Sequence, residues 1–155
     1  MAEVVRARPI ALSEIDLRWL AGTTIDALCF HEPDLWVLSF SGGGHLTTQS
    51  RWRILSAESL VVASGDHGRS FGLPEPLDVG ELAASATSGS MVSAARIAAA
   101  APDLELLLDN GLRLQVLADS RGYECWQVTD PSGVAVAVSG SGVASTWFDQ
   151  ARGQS

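Results

Sequence analysis

Two cysteines and three histidines supply all the thiol and imidazole chemistry of this chain, and their spacing decides what they can do. Cys29 and His31 stand two apart and can share one strand face, while His45 and His67 lie in Gly-rich turns. Zinc wants four convergent nitrogen or sulfur ligands, usually in close pairs such as Cys-x2-Cys or His-x3-His, and neither spacing occurs. A metal set is therefore not read here. Phosphate binding fares no better. A phosphate loop needs a strand, glycines and then a helix whose first amides point at the anion, usually with Lys. Ser41-Gly42-Gly43-Gly44-His45 and Gly65-Asp66-His67-Gly68 lead into no helix, and the chain has no Lys at all. The first run reads as a hairpin turn; the second falls in a Gly-rich linker, with a mobile loop at a binding mouth as the lesser alternative. Nucleophilic catalysis needs Ser or Cys activated by His and an orienting acid. The elbow Gly-x-Ser-x-Gly is absent, since Ser139-Gly140-Ser141-Gly142 lacks its first Gly. A hydrolase built on His45 or His67 would need a carboxylate and a nucleophile beside that ring. No catalytic, cofactor-binding or metal residue is assigned, and the chain reads as non-enzymatic.

Residues that do no chemistry must be doing structure. At 155 residues, 46% hydrophobic, with a mean hydropathy of +0.18, the chain suits one well-packed domain over 1–155. All ten basic residues are Arg, which together with Ala-rich stretches suggests a GC-rich bacterial genome. A net charge of −8 argues against nucleic acid or anionic lipid as a partner and favours a basic one. Met1 to Ala11 carry two Arg but no apolar run behind them, so no secretory leader is read. No stretch nears 18 uninterrupted apolar residues. A cytoplasmic location with reduced thiols is the expectation.

The elements show an internal echo. Pro33-Asp34-Leu35-Trp36-Val37-Leu38 recurs as Pro102-Asp103-Leu104-Glu105-Leu106-Leu107. Each copy follows a strand-like run, precedes a Gly turn, and later reaches a Trp-bearing strand at Trp52 or Trp126. Upstream, Leu12-Ser13 with Asp16-Leu17 reads as a helix start that stops at Gly22, and Leu77-Asp78 with Glu81-Leu82 reads as another. Gly80 weakens the second helix. Period-two alternation predicts strands near 24–30, 34–40, 45–48, 51–55, 59–63, 92–98, 103–108, 112–117, 123–128, 134–138 and 144–148. Asp109-Asn110-Gly111 and Asp130-Pro131-Ser132-Gly133 mark hairpins. The predicted class is α+β, mostly antiparallel β: two tandem helix-plus-hairpin repeats, about 12–63 and 77–148, joined by a linker at 64–76 and sharing one core.

Aligned on Pro-Asp, the copies set Leu35 and Val37 against Leu104 and Leu106 as the core face. The opposite face then carries Trp36, Leu38 and Phe40 in the first copy but Glu105, Leu107 and Asp109 in the second. Cover for that aromatic face can come from the segment containing Trp19, from the Gly-rich linker, or from a partner. The last option makes Trp36, Leu38 and Phe40 partner-facing candidates. Trp52, Trp126 and Trp147 are candidates for an aromatic-lined pocket between sheets, the basis of an alternative reading as a small-molecule binding domain. Arg51 and Arg53 flank Trp52 and are too few for a nucleic-acid groove.

The run from Asp103-Leu104 to Leu114, then Tyr123-Glu124-Cys125-Trp126-Gln127-Val128, Pro131-Ser132-Gly133 and Gly140 to Trp147 resembles a family of small bacterial proteins of unknown function. That resemblance covers mainly residues 90–148. It implies no activity, cofactor or catalytic residue. Some similar small domains are encoded beside bacterial toxins as immunity proteins, which implies a protein-interaction role. The expected partner is a basic protein, or a second copy of this chain in a homodimer.

Overall fold

A pleated strand sends successive side chains to opposite faces, so a run such as Leu35-Trp36-Val37-Leu38-Ser39-Phe40 must bury every second residue. It does. The computed structural model describes residues 7–149, and the amino-terminal stretch Met1 to Arg6, read above as lacking a leader, lies outside them. Within that range the chain forms β1 (Arg8–Ile10), β2 (Ile25–His31), β3 (Leu35–Phe40), β4 (His45–Thr48), β5 (Trp52–Leu55), β6 (Leu60–Ala63), one helix α1 (Val79–Thr87), β7 (Val92–Ile97), β8 (Leu104–Leu108), β9 (Arg113–Val116), β10 (Glu124–Thr129), β11 (Val134–Ser139) and β12 (Ala144–Phe148). Three short 3-10 turns lie at Leu12–Glu14, Arg18–Leu20 and Ser64–Asp66. All pairing is antiparallel, in a seven-stranded sheet ordered β1-β12-β11-β10-β4-β3-β2 and a five-stranded sheet ordered β6-β5-β9-β8-β7.

Two helix-plus-hairpin repeats do not exist in this molecule. Only the second expected helix forms. Its start is capped by Asp78, whose Oδ1 accepts the Glu81 N–H at 3.1 Å. Gly80 is no weak point: a Cβ there would stand 3.3 Å from the Leu28 carbonyl, so glycine lets α1 press onto β2. The first expected helix breaks into two 3-10 turns. Asp16 captures the Arg18 backbone N–H at 2.9 Å and its guanidinium at 3.0 Å, a local bond that competes with helical pairing.

Nor does either half keep its hairpins to itself. β2-β3-β4 is a meander in one sheet, but β5-β6 crosses to the other sheet and pairs with β9. β7-β8-β9 is a meander in the second sheet, and β10-β11 crosses to pair with β4. The registers match: Trp36 sits opposite Thr48, which sits opposite Trp126, while Leu104 sits opposite Val116, which sits opposite Trp52. Trp36 thus corresponds to Leu104, one position away from the alignment on Pro-Asp. The loop between β7 and β8 is the reason. After the pair Phe30↔Trp36 the chain turns through 31–35, but after Ile97↔Leu104 it turns through the longer 98–103. Because side chains alternate, a slip of one residue exchanges inside and outside.

The core follows from that register. Trp36, Leu38 and Phe40 point inward with Leu46, Trp52, Ile54, Leu104, Leu106, Leu114, Val116, Trp126 and Val128, forming one apolar cluster fed by both sheets. β11 is buried on both faces: Ala135 and Ala137 on its outer side are closed off, Ala135 lying between Thr129 and Trp147 in the sheet.

Candidate functional site

The three residues expected to face a partner are interior. Trp36, Leu38 and Phe40 keep only 4%, 0% and 3% of their surface. Their cover comes from the chain itself. Trp19 meets Phe40 edge-on at 5.8 Å, and Phe30, Trp52 and His67 surround Trp36 at 4.8, 5.1 and 5.2 Å. The pocket expected from Trp52, Trp126 and Trp147 does not form either. Trp52 and Trp126 are buried in the core, whereas Trp147 alternates with buried Ala144 and Thr146 and so lies on the outer face of the seven-stranded sheet. Trp126 Nε1 donates to the Pro102 carbonyl at 2.8 Å.

His67 is tied into structure. Its Nδ1 accepts the Val79 N–H at 3.1 Å, holding the first turn of α1, and its ring packs on Phe30 at 4.7 Å. His45 is on β4, opposite Ser39 and Thr129, and Cys29 and His31 are exposed on β2. Among the described residues no group of three or more His, Cys, Asp or Glu is placed to hold a metal ion. Among those residues, no helix is long and apolar enough to cross a membrane.

A groove of about 630 Å³ beside β7 has room for a ligand. Its origin is a pairing that starts and then stops. Val92 donates its N–H to the Thr23 carbonyl at 2.8 Å and accepts the Gly22 N–H at 2.7 Å, while Thr24 bridges Met91. Upstream of that point the chain veers off through Arg18–Leu20 and Leu12–Glu14. The space left is bounded by Leu12 to Arg18 on one side and Ser93 to Ile97 on the other.

Five consecutive residues of β7 line the groove, so its wall is the strand's backbone edge and not one of its faces. Ala98 donates its N–H to the Asp103 carbonyl, which sets the alternation: Ala94 and Arg96 turn their backbone groups toward β8, and Ala95 and Ile97 turn theirs into the groove. β7 is the last strand of its sheet, and among the described residues no hydrogen bond engages the outward groups of Ala95 and Ile97. Leu12, Ile15 and Leu17 supply apolar lining from the opposite wall.

Its charges are mostly spoken for. Arg18 clamps Asp16, and this hydrogen bonding lowers the Asp16 pKa to about 2. Arg96 pairs with Glu105. Among the described residues Glu14 accepts the Ala11 N–H at 3.3 Å and has no cation partner. Behind Arg96 a polar row crosses the outer face of the five-stranded sheet, one residue per strand: Arg96, Glu105, Gln115 and Arg53. Gln115 Nε2 donates to Glu105 at 2.6 Å, and Arg53 Nε donates to Gln115 at 2.9 Å. Burial pushes the Glu105 carboxyl up, but the hydrogen bonds from Gln115 and Arg96 and the charges of Arg96 and Arg113 outweigh it and hold its pKa below the ordinary value.

Compared with known proteins, the chain matches no family model, no curated sequence and no solved structure. The groove escaped sequence reasoning because Leu12 to Leu17 read as the start of a helix. The one local signal against that helix was Asp16 placed two residues before Arg18, where a carboxylate reaches the following backbone N–H.

Proposed function

We propose that this chain is a non-enzymatic, cytoplasmic protein-interaction domain of bacterial type that engages a basic partner. An immunity-type role, in which the domain covers a toxin surface, is the form of that reading which the family resemblance favours. The observation carrying the proposal is the groove beside β7: an apolar trough with unpaired backbone groups along one wall is a surface suited to another polypeptide. The net charge of −8 supports a basic partner, since complementary fields speed encounter and disfavour wrong ones.

A photo-crosslinking side chain placed at Ile15, inside the groove, tests this in the cells that make the protein. The same group at Tyr123, which is 81% exposed and lines no part of the groove, is the control. The expected result is one discrete basic protein joined to position 15 and not to position 123. Adducts that are absent at 15, or the same at both positions, would count against the reading.

A further inference from the structure

We infer that the groove takes an extended, Lys- or Arg-bearing segment of the partner as an added strand, paired antiparallel to β7 and closing the open edge of the five-stranded sheet. This deepens the interaction reading and rests on it. Three observations carry it. First, the outward backbone groups of Ala95 and Ile97 have no hydrogen bond among the described residues, next to Val92, whose own outward groups are satisfied by Gly22 and Thr23. A guest strand would continue the line of pairing that the chain begins and abandons, in the antiparallel sense already set by Thr24 and Met91. Second, the half-buried Leu12 and Ile15 line the far wall, backed by core Leu17, so alternate guest side chains meet apolar surface while the others reach water. Third, among the described residues Arg18 pairs with Asp16 and Arg96 shares Glu105 with Arg113, while Glu14 has no cation partner and remains to attract one in a molecule already at −8.

A second copy of this chain fits less well. Its β7 would bring its own wall of residues 12–18 toward the same trough, whereas a single free strand has no such wall.

The test uses the full chain labelled with 15N and a short peptide of alternating lysine and valine, long enough to span Ser93 to Ile97. The expected result is a shift of the Ala95 and Ile97 amide resonances with about tenfold slower hydrogen exchange at both. A peptide of alternating glutamate and valine should bind about tenfold more weakly at low salt. Ala95→Pro removes a donor aimed at the groove while leaving the β8 ladder its partners, and should weaken the lysine peptide about tenfold. Should that variant fail to fold, Ile15→Arg, which sets a cation in the trough from the other wall, is expected to do the same. Resonance changes confined to another surface, or none with millimolar peptide, would overturn strand addition. The crosslink at position 15 judges the wider interaction reading separately. Exchange at Ala95 and Ile97 that slows with protein concentration alone would assign the edge to a second copy and overturn the partner segment.

Discussion

Trp52 and Trp126 occupy corresponding places in the two sheets, each opposite the last residue of a meander, yet their indole nitrogens fare differently. Trp126 Nε1 donates to the Pro102 carbonyl, while Trp52 Nε1 is buried with no acceptor among the described residues. Replacing each by Phe removes similar volume, but only Trp126→Phe strands a buried carbonyl. It should cost about 1–3 kcal/mol more than Trp52→Phe in urea unfolding. Equal losses would show that the Pro102 bond contributes nothing net. Glu105 carries a pH prediction. Its folded pKa lies below the unfolded value, so its contribution is present above about pH 4.3 and is lost as pH falls through the lowered folded value. Glu105→Gln should cost about 1 kcal/mol at pH 7 and progressively less as pH falls below about 4.3, so that the wild type and variant converge on acidification. Urea midpoints across that range decide it, and parallel curves would refute it.

At the scale of elements, two close approaches hold irregular chain in place. α1 begins where His67 accepts the Val79 N–H while its ring lies against Phe30 and Trp36. His67→Phe keeps an aromatic ring but removes the acceptor, so the helix start should lose about 1 kcal/mol and the Val79 amide should exchange faster, with β-sheet amides unchanged. A uniform loss over the whole protein would instead mean that ring packing was the larger effect. The turn after β11 depends on Gly140, whose N–H donates to the Ser120 carbonyl at 2.8 Å and whose missing side chain leaves space for that same carbonyl. Gly140→Ala forces the two backbones apart and should cost about 1–3 kcal/mol. Gly122→Ala, where a Cβ meets nothing within 4 Å, is the matched control and should stay within about 0.5 kcal/mol of wild type. Thermal melting of the pair distinguishes crowding from a general intolerance of alanine.

The whole molecule is held together by exchange. β4 takes β10 as its neighbour and β9 takes β5, so each half completes the sheet begun by the other, and both feed one apolar cluster. Neither half has a closed interior alone, and segments of this size are marginal even when they do. Cutting the chain in the connection between β6 and α1, after Pro74, should therefore give two fragments that are each unfolded and that regain Trp fluorescence and cooperative melting when mixed. A cooperative transition in either fragment by itself would show that the halves are independent. The same exchange explains the groove: the segment before β2 belongs to the first half but lies beside β7 of the second, where it pairs for a few residues and then departs.

Local pattern was enough to locate the strands. β2 to β12 fall within a residue or two of where alternation places them, and α1 is capped by Asp78 as its spacing to Glu81 predicts, because strand period, turn residues and caps are properties of neighbours in the chain. β1 escaped, being three residues long with Pro9 at its centre. Alternation yields two faces but does not say which is inside. That choice rested on a loop one residue longer before Leu104 than before Trp36, which moved Trp36, Leu38 and Phe40 from an expected partner surface into the core. Nor could sequence spacing show that β5 pairs with β9 and β10 with β4, since antiparallel neighbours far apart in the chain are chosen by the packing of a common interior. The groove at Ala95 and Ile97 is a product of that long-range choice. Elements were written in the residues, while sidedness, exchange and the open edge arose only when both halves closed on one core.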